Sequence, residues 1–202
     1  MECKSKVYNI NNFNINDVDK GAVIALDTNI LYWMHYSRCA MGGDPPHQIL
    51  IYPDVIENLI SNEVKLVTTI YNVTELINII ERHENEIYNL THKKTNLKDF
   101  RKIKNERENV QAELEAVLGQ IKSLYEVFEY KIEVIGVNSF IENFNNHSCD
   151  NFDYSIINYL KGKNINTIIS DDKDFISIDG IVLYTANRYS IKKAKENKQL
   201  VN

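Results

Sequence analysis

Carboxylates recur where apolar runs end. Val23-Ile24-Ala25-Leu26 leads directly into Asp27-Thr28-Asn29, and Glu75 follows the apolar, threonine-rich stretch from Leu66 to Ile70. Asp153 opens the segment Tyr154-Ser155-Ile156-Ile157, and Ile168-Ile169-Ser170 ends in Asp171-Asp172-Lys173-Asp174-Phe175. A desolvated carboxylate is costly unless it is paired or metal-bound, so packing alone does not explain four of them at strand ends. Brought together at one end of a parallel sheet, they would form a divalent-metal site. The donors are all oxygen, which selects Mg2+ or Mn2+ over softer ions. One or two such ions can activate water and stabilise the leaving oxygen of a phosphodiester. Zinc fits poorly. His35, His47, His83, His92 and His147 form no HxH or HExxH pattern, and Cys3, Cys39 and Cys149 lack metal-type spacing.

The elements that must position these acids alternate along the chain. Val23 to Leu26 reads as a buried parallel strand, and a helical pattern from Ile30 to Cys39 is broken by Gly42-Gly43-Asp44-Pro45-Pro46. Pro53 to Ile60 has helical spacing, with Pro53 and Asp54 suited to its start. Val64 to Ile70 reads as a second strand, followed by a helix from near Asn72; Thr91 to Asn96 separates that helix from a long helical pattern over Leu97 to Tyr130. Ile132 to Val137 reads as a third strand, after which Ser139 and Glu142 make a capping box. Asp153 to Leu160 forms the next helix, which Gly162 is placed to end. Ile165 to Ser170 and Ile181 to Tyr184 are the last strands, before a basic helix from Ser190 to Lys198. The alternation predicts a doubly wound parallel α/β sheet of about five strands in a single domain over residues 1–202, with 84–131 as a helical elaboration. Ligands of such sheets bind outside the carboxyl ends of the strands. Asp27 lies just past the first strand, Asp172 just past the fourth, and Glu75 and Asp153 in the early turns of neighbouring helices, so all four can face one cleft.

Composition bounds the alternatives. The chain has 202 residues, 44% of them hydrophobic, enough for one sizeable core. No apolar run reaches bilayer length, Met1-Glu2-Cys3-Lys4 opens no signal peptide, and three scattered cysteines suit a reducing cytosol; the expectation is a cytoplasmic protein without membrane contacts. A net charge of −5 argues against a general nucleic-acid coat protein. The charge is uneven, however: Lys93, Lys94, Lys98, Arg101, Lys102, Lys104 and Arg107 crowd one segment, opposed by Asp99 and Glu106. That run is either the solvated face of a helix or a contact for an RNA backbone. The apolar stripe from Leu114 to Phe128 is either core or a homodimer surface, and Trp33 and Tyr36 either pack or stack on a base.

With these pieces in place, the chain resembles the PIN-domain family of metal-dependent ribonucleases, which includes VapC-type toxins. The resemblance rests on Leu26-Asp27-Thr28-Asn29-Ile30-Leu31, Glu75 within Asn72-Val73-Thr74-Glu75-Leu76, Phe152-Asp153-Tyr154-Ser155-Ile156-Ile157, and Ile169-Ser170-Asp171-Asp172-Lys173-Asp174-Phe175, and spans residues 22–186. It implies a three-layer α/β/α domain in which Asp27, Glu75, Asp153 and Asp172 hold Mg2+ or Mn2+, with Asp174 accessory. Thr28, Asn29 and Ser170 would orient the acids. The implied reaction is hydrolysis of RNA by metal-activated water, with an antitoxin protein as partner where the chain is half of a toxin–antitoxin pair. Asp153 is preferred over Asp150, which suits a helix start, and Asp172 over Asp171. Asp171 stands where many relatives are basic or neutral, which would add repulsion toward a phosphate. The helical segment from His83 to Tyr130 and the Asn-rich stretch to Lys20 also depart from the common pattern. Two rivals remain: a non-catalytic module binding RNA or protein, and a phosphatase resembling the haloacid-dehalogenase family. The latter wants a second Asp two positions after Asp27, where this chain has Asn29.

Overall fold

A computed structural model describes residues 2–19, 21–41, 46–129 and 147–201. The strands are β1 (Lys6–Asn9), β2 (Val23–Leu26), β3 (Lys65–Thr69), β4 (Glu126–Phe128), β5 (Thr167–Ile169), β6 (Val182–Thr185) and β7 (Leu200–Val201). They form one sheet in the order β4-β3-β2-β5-β6-β1-β7, and every pairing is parallel. The helices are α1 (Thr28–His35), α2 (Gln48–Ser61), α3 (Ile70–Thr91), α4 (Leu97–Phe100), α5 (Lys104–Leu124), α6 (Asn151–Gly162) and α7 (Arg188–Glu196).

Side-chain alternation on the central strands separates two cores. Ile24, Leu26, Leu66 and Ile169 face a cluster completed by Ile30 of α1, Ile56 and Leu59 of α2, Leu76 and Ile80 of α3, and Val117 and Ile121 of α5. Ala25, Val67 and Ile168 face the opposite cluster, with Ile156, Ile157 and Leu160 of α6 and Ala194 of α7. Because both faces are covered, β2 reads as a continuous apolar run rather than an alternating one. The result is the three-layer α/β/α arrangement expected. The chain leaves β2 toward β3 on one side, while β5 pairs with its other side. The crevice beyond β2 and β5 is therefore the topological switch point, where ligands of doubly wound sheets sit. No helix among the described residues is long and apolar enough to cross a membrane.

The sheet has more strands than the five expected. β1 comes from the Asn-rich amino-terminal stretch and inserts between β6 and β7, with Val7 fully buried. Ser5, just before it, places its hydroxyl 2.7 Å from the carbonyls of both Phe175 and Ile178. The long helical pattern over Leu97–Tyr130 also breaks up. It becomes α4, α5 and then β4, because Tyr125 turns extended and Val127 pairs with Thr68 along the edge of β3. Pro53 lies inside α2 rather than at its start, five residues after Gln48. The fully buried Tyr52 beside it anchors this first part of the helix. α6 ends at Gly162 as expected, but the left-handed residue beyond it is Asn164, at φ 60°. The strand expected at Ile132–Val137, the capping box of Ser139 and Glu142, and Gly42 to Pro45 lie outside the described residues.

Polar pins fix the helical insert to the body. Glu81 of α3 is 5% exposed and accepts from Arg101 at 2.9 and 2.5 Å and from Arg107 at 2.5 Å. Glu84 accepts from Tyr36 and Arg38, each at 2.5 Å, and His35 bonds Gln120 and Tyr125, each at 2.9 Å. Val110, Val117 and Ile121 of α5 are buried against the same body. The stripe over α5 is thus core, and Arg101 and Arg107 are structural partners of a buried acid.

The Arg101 hydrogen bonds hold the Glu81 carboxyl below the ordinary glutamate range, with Arg107 adding to the effect. A lowered carboxyl contributes stability above its unfolded value and loses that contribution as pH falls through its folded value. Glu81→Gln should therefore cost about 1–3 kcal/mol in urea denaturation at neutral pH. The deficit should shrink in acid; a deficit independent of pH would show that the charge is not what pins the insert.

Candidate active site

β2 delivers Asp27 to the switch point. Its backbone N–H still bonds Ile169 of β5 at 3.1 Å, while its side chain caps α1, accepting from the Thr28 N–H at 2.7 Å. An acid suits this place because the helix amino terminus presents unpaired N–H groups and a positive dipole end. The other carboxylate oxygen accepts from the Ser170 hydroxyl at 2.6 Å and the Asn29 amide at 2.8 Å, and the Asn72 amide approaches the first at 3.3 Å. Despite these donors, Asp27 is only 8% exposed, and burial pushes its carboxyl up to about 6. The bonds from Ser170 and Thr28 act against that rise, and the charges of Glu75 and Asp172 add to it.

The other acids converge on the same place from three elements. Glu75, in the second turn of α3, accepts from the Thr28 hydroxyl at 2.7 Å. Asp153 lies in the first turn of α6, whose cap is Asp150, accepting from the Phe152 and Asp153 N–H groups at 2.8 and 2.9 Å. Burial, then the charges of Asp27, Asp150, Glu75 and Asp172, push the Asp153 carboxyl up to about 8. Asp172 follows β5; its N–H bonds the Ser170 hydroxyl at 3.0 Å, and its carboxylate caps the short 3-10 helix Lys173–Ser177 through Asp174 N–H at 2.8 Å. Burial and the Asp172 charge raise Asp174 above the ordinary aspartate value.

The orienting residues expected, Thr28, Asn29 and Ser170, are all in contact with these acids. Ser170 is completely buried and touches Asp27, Asn29 and Asp172 at once. Asn72 is the residue sequence reasoning missed. Held by Thr69, it donates to Thr28 at 3.1 Å as well as to Asp27. Its only signal was a place one turn before Glu75 on the same helix face.

Asp171 turns its side chain to α2. Its oxygens accept from Tyr52 and Gln48, each at 2.8 Å, and its backbone bonds Asn29 and Asn187. It is a clasp between α2 and the ends of β5 and β6. Trp33 stacks on Tyr52 at 5.7 Å and Tyr36 is buried, both packing residues. Lys93, Lys94 and Lys98 are exposed, but they follow the far end of α3, roughly 25 Å along the helix from Glu75. Arg101 is held by Glu81, and Lys102 by Asp99 at 2.6 Å.

None of the ion pairs among the described residues involves Asp27, Glu75, Asp153 or Asp172. Nor, among the described residues, do three acid, histidine or cysteine side chains close into a ready-made ion cage. What the arrangement offers is a set of hard oxygen donors around a buried carboxylate, mutually repelling. The donor chemistry fits Mg2+ or Mn2+.

No family model matches the chain, and no curated protein is similar enough to match. Among solved structures, the chain is similar to a chain of VapBC2 from Rickettsia felis, determined bound to a DNA fragment from its promoter. The identity is 17% and the TM-score 0.46, covering 80% of this chain and 96% of that one. A likeness this distant decides neither substrate nor chemistry, which have to come from the residues themselves.

The raised acids have a measurable consequence. With Asp27 near 6 and Asp153 near 8, the folded chain binds more protons than the unfolded one above the ordinary aspartate value. These two groups therefore make stability fall as pH rises from about 4 to 8. Without divalent ions, Asp153→Asn should be more stable than the parent by about 1–3 kcal/mol at pH 8, the mutual coupling of the acids being discounted. The gain should disappear by about pH 4. Thermal melts in chelator across this range check it; a variant less stable than the parent at pH 8 would contradict the electrostatic account.

Proposed function

We propose that this chain is a PIN-like endoribonuclease dependent on Mg2+ or Mn2+. The observation that carries this reading is the buried Asp27 and the half-buried Asp153, each raised by burial and then by its neighbours' charge, and neither in an ion pair among the described residues. In this reading Asp27, Glu75, Asp153 and Asp172 hold the metal, with Asp174 at the margin. Thr28, Asn29 and Ser170 fix the carboxylates against the repulsion that drives them apart, and Asn72 joins them. The metal, when bound, supplies an activated water and stabilises the departing oxygen of the phosphodiester. Asp171 keeps the turn after β5 in place from behind. In this reading Lys93, Lys94 and Lys98 would neutralise phosphates of a strand running along α3 away from the cleft, with Arg101 and Lys102 contributing less because of their acidic partners. An antitoxin-type protein partner rests on the family resemblance alone, and a homodimer would rest on the stripe from Leu114 to Phe128, whose Val117 and Ile121 are buried within the chain itself.

Purified protein with Mn2+ should cut labelled single-stranded RNA, and a chelator should abolish the cleavage. Asp27→Asn and Asp153→Asn should each lower kcat roughly 100-fold or more. Calorimetry should show weaker Mn2+ binding by both variants. If the parent cuts no RNA and neither substitution alters metal binding, the reading fails. RNA affinity without divalent-metal binding would favour the non-catalytic module instead.

A further inference from the structure

A groove opens from the acids, sharing Glu75 and Asp153 with them and lined further by residues that the proposed chemistry does not use. One wall is a single face of α3, where Tyr71, Thr74, Glu75 and Asn78 fall at steps of three and four. The other is the first turn of α6, where Phe152 stands between Asp150 and Asp153. Tyr71 and Phe152 meet edge to face, with ring centroids 4.9 Å apart and planes at 85°. Phe152 is nonetheless 45% exposed. The core face of α6 is made by Ile156, Ile157 and Leu160, and Phe152 stands outside it, touching Tyr71 and leaving part of its ring to solvent.

The groove's chemistry narrows its occupant. Glu75, Asp150 and Asp153 line it, so a bare phosphate or an acidic peptide would be repelled. Its aromatic wall favours a flat, neutral group, and such a group stacks on a ring face whatever its identity. The Asn78 side chain is exposed, makes no hydrogen bond among the described residues, and carries both a donor and an acceptor. A flat group with donors and acceptors at its rim, adjoining a cluster of acids fit for a metal, is a nucleobase.

We propose that the groove between α3 and α6 is a base-binding subsite, in which the Phe152 ring, held edge to face by Tyr71, stacks one nucleobase flanking the scissile phosphate and Asn78 reads its edge. This deepens the nuclease reading and rests on it for the position of the scissile bond, but not for binding itself. Phe152 then governs how well a strand binds, and Asn78 which base is preferred at that position.

Two measurements separate the subsite from the nuclease reading. Labelled single-stranded RNA and DNA oligonucleotides of the same sequence are titrated onto Asp27→Asn protein with Mn2+, with and without Phe152→Ala. Steady-state cleavage is then compared for the parent, Phe152→Ala and Asn78→Ala on RNAs differing only in the base beside the cut. The Phe152 substitution should weaken binding on the order of tenfold, within the range of one base–aromatic stack, and raise KM more than it lowers kcat. Asn78→Ala should flatten the base preference. Equal weakening for RNA and DNA would identify the base as the recognised part; RNA alone would add the sugar. Losing the edge-to-face contact with Tyr71 should lower the melting temperature by no more than a few degrees, about what one such aromatic pair contributes, so the weakened binding is not a folding defect. If the parent cleaves but both substitutions leave affinity, KM and preference unchanged, the subsite is wrong and the nuclease stands. If nothing is cleaved but Phe152-dependent binding persists, the nuclease reading falls and the subsite survives.

Discussion

A buried carboxylate at the end of the central strand is the constraint around which the rest is arranged. Asp27 leaves β2 still hydrogen-bonded to β5 through its backbone, caps α1 with one oxygen, and gathers Ser170 and Asn29 with the other. These partners lie in α1 and at the end of β5, so one residue fixes the relative placement of β2, β5, α1 and, through Asn72, α3. Burial still wins over the donors, which is why the carboxyl is raised rather than lowered. A site of this kind favours whatever brings positive charge to it.

The second constraint is balance elsewhere. Glu81 and Glu84 are as buried as Asp27, yet each has an arginine partner. Among the described residues, the buried Glu81 and Glu84 are paired with arginines, while Asp27, Glu75, Asp153 and Asp172 at the switch point are in no ion pair. That contrast separates the two groups of acids more sharply than burial does.

The central strands and the acids were legible because local sequence determines them. Val23 to Leu26 is buried on both faces and reads as a continuous apolar run, and an acid directly after it stands out. β1, β4 and β7 were not legible, since two to four residues carry too little periodicity and their pairing is set by partners far along the chain. The same reason hid the clasp of Asp171, which needs Gln48 and Tyr52 from α2, and the true partners of Arg101 and Arg107 on α3. Pro53 misled because a proline usually opens a helix; here the buried Tyr52 holds the preceding turn. Asn72 was visible as a residue but not as a bridge, because its role exists only once Thr28 is packed against it.

The insertion of β1 between β6 and β7 ties the two ends of the chain into one edge of the sheet. Ser5 braces the carbonyls of Phe175 and Ile178, in and just after the 3-10 turn that Asp172 caps, across 170 and 173 residues. Contacts of such separation form late, because the intervening loop must close first. β1 has no partner in the sheet until β6 or β7, far along the chain, is in place. A chain interrupted before Phe175 would therefore carry Asp27 while the turn capped by Asp172 still lacked its brace from Ser5.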